Sequence, residues 1–522
     1  MDFLVIFIPL LPLLAAIIIG SGHLLGKING REDEAKTVDI AKNAITASCF
    51  ISIALLLFNL LGFNEGLYVA GQWLSSDTFN IEINFLTSGF NIFAAVLFSI
   101  ILVIITRFSV NYIHKEAGFH RFFFTLSLFS FAMLLIVLSG NAVFTFIGWE
   151  IAGLCSYFLI SFAYDRPVAA INATRVFVTN RIGDAGFLFG IGLSFYYVGT
   201  LNWVDLNYFA DQLTMPTATV ISLCFVVAAI AKSAQLPFSP WLARAMEGPT
   251  PSSALFYGAV MIHAGVFLVI LLQPLIEQAP LTMALLIVVG LFTSIYSFVV
   301  GLTQTDVKSS ICFAITGQIG LMFLACGLGF WELATWHLCA HAVVRGYQVM
   351  TAPSLLHYVH GNPMKPVAKG IANQRWLYIA SLQRFWLDPI IDRTLVRPIN
   401  GLGRDLDYFD NKIIDRAMGT PSSAALAISS LEQLEQKSLT SQSNLADNKL
   451  ARGKGIAGKL LEWVANAMSW FEERLVLRGV GVGMVDIGRQ LGHAANTFEK
   501  LLLKPRYLVL FVFLVLMFAS SI

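Results

Sequence analysis

The sequence predicts an all-α protein that crosses a membrane many times. Three observations carry that prediction. Of 522 residues, 57% are hydrophobic and only 13% charged, with a mean hydropathy of +0.72; a soluble domain holds about 25% charged residues. Apolar runs of about 20 residues recur, each long enough to cross a hydrocarbon core of ~30 Å. The runs are continuous and lack the ~10-residue alternating segments of a membrane β-barrel.

The first run covers 3–22. It has no basic stretch before it and no evident small-residue cleavage site, so it reads as a span and not as a cleaved signal. Further runs lie near 43–62, 92–113, 122–139 and 141–162, the last holding Gly148, Trp149 and Glu150. A sixth, 175–198, carries Arg175, Arg181 and Asp184. The seventh, 217–236, contains Lys232 within "AIAKSAQLPFSP" (229–240), and the eighth, 255–274, contains His263. Runs at 281–302 and 308–328 follow, with Asp306 and Lys308 at the start of the second. The run 331–352 carries Glu332, His337, His341 and Arg345, and 505–521 completes a set of about twelve.

The chain thus divides into N-terminal helices (1–84), a helical core (85–360), a cytoplasmic segment and linker (361–454), an amphipathic helix (455–503) and a C-terminal anchor (504–522). The stretch 419–450 is rich in Ser, Ala, Gln and Asn, as linkers are. In 455–503, Leu460, Leu461, Val464, Met468, Phe471 and Leu475 recur at helical spacing, with Lys459, Glu462, Glu472 and Glu473 between them. Such a helix lies on a membrane surface or braces the protein against a neighbouring subunit.

Loop charge orients the bundle. Lys27, Arg31 and Lys36 follow the first run, Lys115 and Arg121 the third, and Arg166, Arg244 and Lys308 occupy later loops on the same side. The alternate loops 63–91, 199–216 and 275–280 contain no Lys or Arg. The N-terminus is therefore expected outside, and residues 361–500 in the cytoplasm, of a cell (inner) membrane.

Ionisable residues inside spans are costly, so each is a functional candidate. Glu150, Lys232, His263, His337, His341 and Arg345 form a candidate proton relay. Arg175, Arg181, Asp184, Glu247, Asp306 and Lys308 are supporting charges. A carboxylate that approaches or leaves a buried lysine changes how tightly the amine holds its proton; Glu150 is the expected partner of Lys232. The competing reading is a static ion pair that fixes helix packing. His337, His341 and Arg345 are spaced four apart and share a helical stripe. Imidazoles suit a proton path because they titrate near neutral pH, whereas Arg345 stays charged. Pro237 and Pro240 remove backbone donors just after Lys232. The helix is expected to break between 232 and 246, which is tolerated at membrane depth only in a buried or wet place.

A net charge of +2 gives no case for nucleic-acid binding, and the six cysteines have no CxxC spacing. His337 and His341 lack an HExxH glutamate, so no metal is expected. No nucleotide fingerprint, flavin motif or iron–sulfur cysteine pattern occurs, so no cofactor is expected.

Five ordered segments carry a family resemblance: "GWEIAGLCSYFLISF" (148–162), "VTNRIGDAGFLFG" (178–190), "KSAQLPFSPWLARAMEGPTPSSAL" (232–255), "TDVKSSICFAITGQIGLMF" (305–323) and "HLCAHAVVRG" (337–346). They resemble the antiporter-like proton-channel subunits: subunit L of respiratory complex I, the large Mrp antiporter subunit and the membrane subunit of DAB-type inorganic-carbon transporters. The resemblance covers roughly 85–350, and 385–418 is similar to the region after the core in subunit L. It implies a path in which Glu150 pairs with Lys232 and which continues through His337 and His341. Three positions depart from the family pattern: Arg244 stands at an aspartate, Tyr257 at a histidine and Arg345 at a lysine. The expected function is a proton-translocating subunit of a complex I-like NADH-quinone oxidoreductase. Other membrane and peripheral subunits, protons, water and the lipid bilayer would be its partners. The alternatives are the proton-conducting subunit of a carbon-uptake complex and a structural membrane subunit.

Overall fold

A computed structural model describes residues 2–63, 66–75, 80–87, 89–352, 367 and 369–410. The chain divides into two compact units, Met1–Ile399 and Asn400–Ile522. The first unit is helical: α1 Phe7–Leu24, α2 Glu34–Leu60, α3 Gly89–Tyr112, α4 Phe119–Leu138, α5 Ala142–Ile160, α6 Pro167–Val198, α7 Trp203–Tyr208, α8 Met215–Lys232, α9 Pro240–Arg244, α10 Thr250–Ser253, α11 Ala264–Leu271, α12 Gln273–Glu277, α13 Pro280–Gly301, α14 Val307–Gly327 and α15 Trp331–Thr351. Further along the chain are α16 Lys369–Ala372, α17 Arg375–Leu382 and α18 Leu387–Ile391. Helix α19, Arg397–Phe409, leads into the second unit, and the rest of that unit lies outside the described residues.

Among the described residues, nine helices are long and apolar enough to cross a membrane. Helices α6 and α15, of 32 and 21 residues, are as long and more polar. The protein is thus a polytopic α-helical membrane protein. The expected run at 505–521 and the amphipathic helix at 455–503 lie outside the described residues.

The core sits where α4, α5, α8 and the 254–271 segment meet, and 89% of the most apolar window of the last is buried inside the protein. Close helix approach explains two glycines, as is usual where backbones pack in membranes. A Cβ at Gly265 would lie 2.3 Å from the Ala229 carbonyl oxygen and from Ser233 Oγ, so α11 can press on α8 only with glycine there. A Cβ at Gly290 would meet the Gly320 carbonyl at 2.5 Å, where α13 packs on α14.

The structure corrects the sequence reading in three places. Helix α2 begins at Glu34, nine residues before the expected run, because Glu34, Lys36, Asp39 and Lys42 hide its first turns from a hydropathy count. The span expected over 217–236 ends at Lys232 itself. The loop expected over 63–91 holds an antiparallel hairpin, β1 Leu67–Ser75 and β2 Asn80–Leu86, running from Leu67↔Leu86 to Ser75↔Asn80. Its anchor is a carboxamide cluster: Asn84 donates to Asn202 at 2.8 Å, and Asn141 donates to Asn84 at 2.8 Å and to the Glu82 carbonyl at 2.7 Å.

Candidate functional site

Helix α8 stops at Lys232 for local reasons. Ala234 adopts φ 52°, a left-handed conformation that costs a non-glycine residue roughly 1–2 kcal/mol. Pro237 and Pro240 then deny the next residues helical donors, and the chain resumes as α9 at Pro240. The facing segment is broken too. After α10 the chain takes one π-helical turn (Ala254–Ala259) and a 3₁₀ turn (Met261–His263) before α11. The breaks are tied together: Ser233 Oγ donates to the Ile262 carbonyl at 2.7 Å, so the residues after Lys232 and before His263 are in direct contact.

Lys232 is buried, with 1% of its surface exposed. Its Nζ donates to the Trp149 carbonyl at 2.9 Å and lies 5.1 Å from the centre of the Trp149 ring. The Trp149 indole donates to Asp184 Oδ1 at 2.8 Å. Arg181 Nη1 pairs with Glu150 Oε2, and Arg181 Nη2 lies 2.7 Å from Asp184 Oδ2. The second pair is a charge contact off hydrogen-bond angle, which leaves both atoms with unused hydrogen-bonding capacity. The expected pairing of Glu150 with Lys232 is therefore corrected. Glu150 engages Arg181, and among the described residues no carboxylate lies within 4 Å of Lys232. Two cations and two carboxylates make a neutral quartet, with Trp149 at its centre.

A second cluster lies past the facing break. His263, fully buried, and His341, 6% exposed, share a hydrogen bond of 2.9 Å between Nε2 and Nδ1. His337 stands on the same face of α15, its ring 6.0 Å from that of His341, and its Nε2 meets Gln318 Oε1 of α14 at 2.8 Å. Arg345, a further turn along, donates to Gln348 at 2.7 Å. His341 Nε2 is buried without a partner, the kind of atom that a water or a moving proton satisfies.

The supporting charges scatter. Asp306 caps α14 by accepting from Ser309 N at 2.9 Å, and Lys308 donates to Thr250 at 2.7 Å. Glu247 pairs with Arg166 at 3.1 Å. Arg175 pairs with Asp392 at 2.9 Å, and Arg244 with Asp388 at 2.8 Å. These last two pairs fasten the segment after α17 to α6 and to the end of α9. Ser381 strengthens the attachment through Thr303 at 2.7 Å and the Val299 carbonyl at 2.9 Å. The structure thus brings Glu150, Arg181, Asp184 and Lys232 together, and His263, His337 and His341 together. Arg175, Glu247, Asp306 and Lys308 stand apart from both groups. Sequence reasoning missed Trp149, Gln318, Asp388 and Asp392. Trp149 was signalled by its place beside Glu150; Gln318 stands opposite His337 on the neighbouring helix α14, a pairing that only the folded chain makes.

Among the described residues no group of three or more His, Cys, Asp or Glu side chains could hold a metal ion.

Comparison with known proteins agrees with this architecture. Residues 139–365 match the family described as NADH:quinone oxidoreductase/Mrp antiporter, TM. Residues 73–123 match that described as NADH-Ubiquinone oxidoreductase (complex I), chain 5 N-terminus. The chain is 34% identical over 359 residues to an NAD(P)H-quinone oxidoreductase subunit 5, chloroplastic, of Nephroselmis olivacea, covering 67% of this chain and 55% of that one. It is 33% identical over 356 residues to NADH-ubiquinone oxidoreductase chain 5 of Neurospora crassa, covering 68% and 48%. The chain spans about half the length of the relatives it matches. In fold it resembles a chain of the Mrp complex from Dietzia sp. DQ12-45-1b, with a TM-score of 0.58, 19% identity, and coverage of 98% and 62%. A chain of the membrane-bound sulfane sulfur reductase, an archaeal respiratory membrane complex, gives the same score and identity at 66% and 70%.

Proposed function

The chain belongs to the antiporter-like family of transmembrane subunits that includes complex I chain 5, and from that premise we propose that it is a proton-translocating subunit of a larger, complex I-like assembly. One observation carries the reading: a chain of buried and half-buried polar groups joins two broken helices inside the bundle. It runs from Glu150, Arg181 and Asp184 through Trp149 to Lys232, and crosses at Ser233–Ile262 to His263, His341 and His337. Buried charges are expensive in a membrane and persist where they serve transport.

The quartet acts as a charge switch. Arg181 faces two carboxylates on different helices, Glu150 on α5 and Asp184 on α6. Its lean toward one or the other alters the field at Lys232, which alters how firmly the amine holds its proton. Trp149 fixes that amine by its carbonyl and fixes Asp184 by its indole, so the two respond together. A proton released from Lys232 passes at the paired helix breaks toward His263. The His263–His341 contact carries it onward: one imidazole gives the proton on its Nε2 or Nδ1 while the other accepts, and the unpartnered His341 Nε2 is the next station. Water bridges the break, as buried polar groups there require. Arg345 is a fixed charge, because a guanidinium does not deprotonate in proteins.

The basic residues Lys27, Lys115, Arg121, Arg166, Arg244 and Lys308 support a topology with the N-terminus outside and the α1–α2, α3–α4, α5–α6, α9–α10 and α13–α14 connections in the cytoplasm of a cell (inner) membrane. The partners are other membrane and peripheral subunits, which supply redox chemistry. A tagged full chain should copurify with quinone-oxidoreductase subunits, and the complex in sealed vesicles should acidify or alkalinise the lumen on turnover. Recovery of the chain alone, or turnover without proton movement, would overturn the proposal.

A further inference from the structure

Between the first turns of α14 and the last turns of α15 lies a cleft of about 390 Å³, lined by Val307, Ser310, Arg345, Gln348 and Thr351 among others. Arg345 is the one charged residue in its wall. Among the described residues no carboxylate lies within 4 Å of it, and its guanidinium donates to the neutral Gln348 side chain. The sequence that follows, "PSLLHYVHGNPMKP" (353–366), contains no Asp or Glu. A half-buried guanidinium with no counter-ion among the described residues is unfavourable in or beside a membrane. The surroundings indicate what neutralises it. Val343, Val344 and Tyr347, on the same helix, are exposed and apolar, with exposures of 52%, 51% and 66%. The cleft sits at the end of the bundle where Lys27, Arg121 and Lys308 also lie, the leaflet that basic residues favour.

We propose that this cleft binds the phosphate of an anionic phospholipid, with Arg345 as its cation and the acyl chains lying along Val343, Val344 and Tyr347. Gln348 and the hydroxyls of Ser310 and Thr351 surround the headgroup. The sidedness rests on the orientation proposed above; the binding site itself does not rest on proton transport.

The test uses the full chain, reconstituted in its complex into vesicles of 4:1 phosphatidylcholine and phosphatidylglycerol, then released for native mass spectrometry. Wild-type protein should retain one more phosphatidylglycerol than Arg345→Gln, whose retention should be at least about tenfold weaker, the size of a lost charge-assisted hydrogen bond. Arg345→Lys should retain the lipid in part, since it keeps the charge and loses the bidentate fork. Glu150→Gln, which impairs the proposed relay, should retain it fully, so failure of the relay and failure of the lipid site are distinguishable. Equal retention in wild type and Arg345→Gln would overturn the proposal. Displacement of the lipid by 10-fold molar inorganic phosphate at equal affinity would also overturn it, by showing a free-phosphate site.

Discussion

Replacing Glu150 by Gln keeps the side chain's volume and removes half of the negative charge that Arg181 and Lys232 share. Glu150 and Arg181 are each 29% exposed, so the pair is largely shielded from water. Charges ~4 Å apart in an effective dielectric of ~20 attract by roughly 4 kcal/mol. After rearrangement of Arg181 toward Asp184, whose Oδ2 already lies 2.7 Å from Nη2, about half of that is expected to remain as a cost. A cost of ~2 kcal/mol on the transport barrier slows flux roughly 30-fold. The assay is dye-monitored proton movement in vesicles that carry the complex, normalised to the amount of chain assembled. Glu150→Asp should recover part of the rate, since it restores charge at a shorter reach. Flux in Glu150→Gln equal to wild type would refute the charge-switch reasoning and leave the quartet as packing.

The two histidines that share a hydrogen bond should act as one unit: His263→Ala and His341→Ala should each lower flux about as much as the double variant, and additive losses would separate them. The ion pair of Arg244 with Asp388 is partly exposed and should contribute roughly 1 kcal/mol or less. Asp388→Arg should raise hydrogen exchange across α18, and the swap Arg244→Asp with Asp388→Arg should restore protection; no rescue would show that the attachment rests on Ser381 and apolar contacts. Exposed Lys27 and Asp211, each as cysteine, should report sidedness to a membrane-impermeant reagent in intact cells. Labelling of Asp211→Cys only is expected, and labelling of Lys27→Cys would invert the topology.

Much of the bundle was legible in the sequence because apolar length is a local property that hydropathy reads directly. The break after Lys232 was legible for the same reason, since Pro237 and Pro240 act on their own backbone. Helix α2 began early because its first turns meet charged surroundings, where Glu34 accepts from His114 at 2.7 Å. The hairpin β1–β2 was hidden because it is held by Asn84, Asn141 and Asn202, which lie far apart in sequence. The site was half visible. Every member of the quartet could be nominated as an intramembrane charge, but its pairing could not, because Lys232 is held by a backbone carbonyl and backbone carbonyls leave no mark in a sequence. Arg244 showed the same limit: its partner Asp388 stands 144 residues away. His263 was placed by its charge alone, and only the folded chain sets it against His341.

The most direct measurement is proton flux in sealed vesicles containing the complex with Lys232→Ala, compared with wild type at equal assembly. Lys232 is the buried amine on which the quartet, Trp149 and the helix break converge. The account predicts that the variant inserts and assembles, sustains redox turnover at a reduced or uncoupled rate, and moves no protons through this chain. A variant that assembles and translocates protons as wild type does would contradict it.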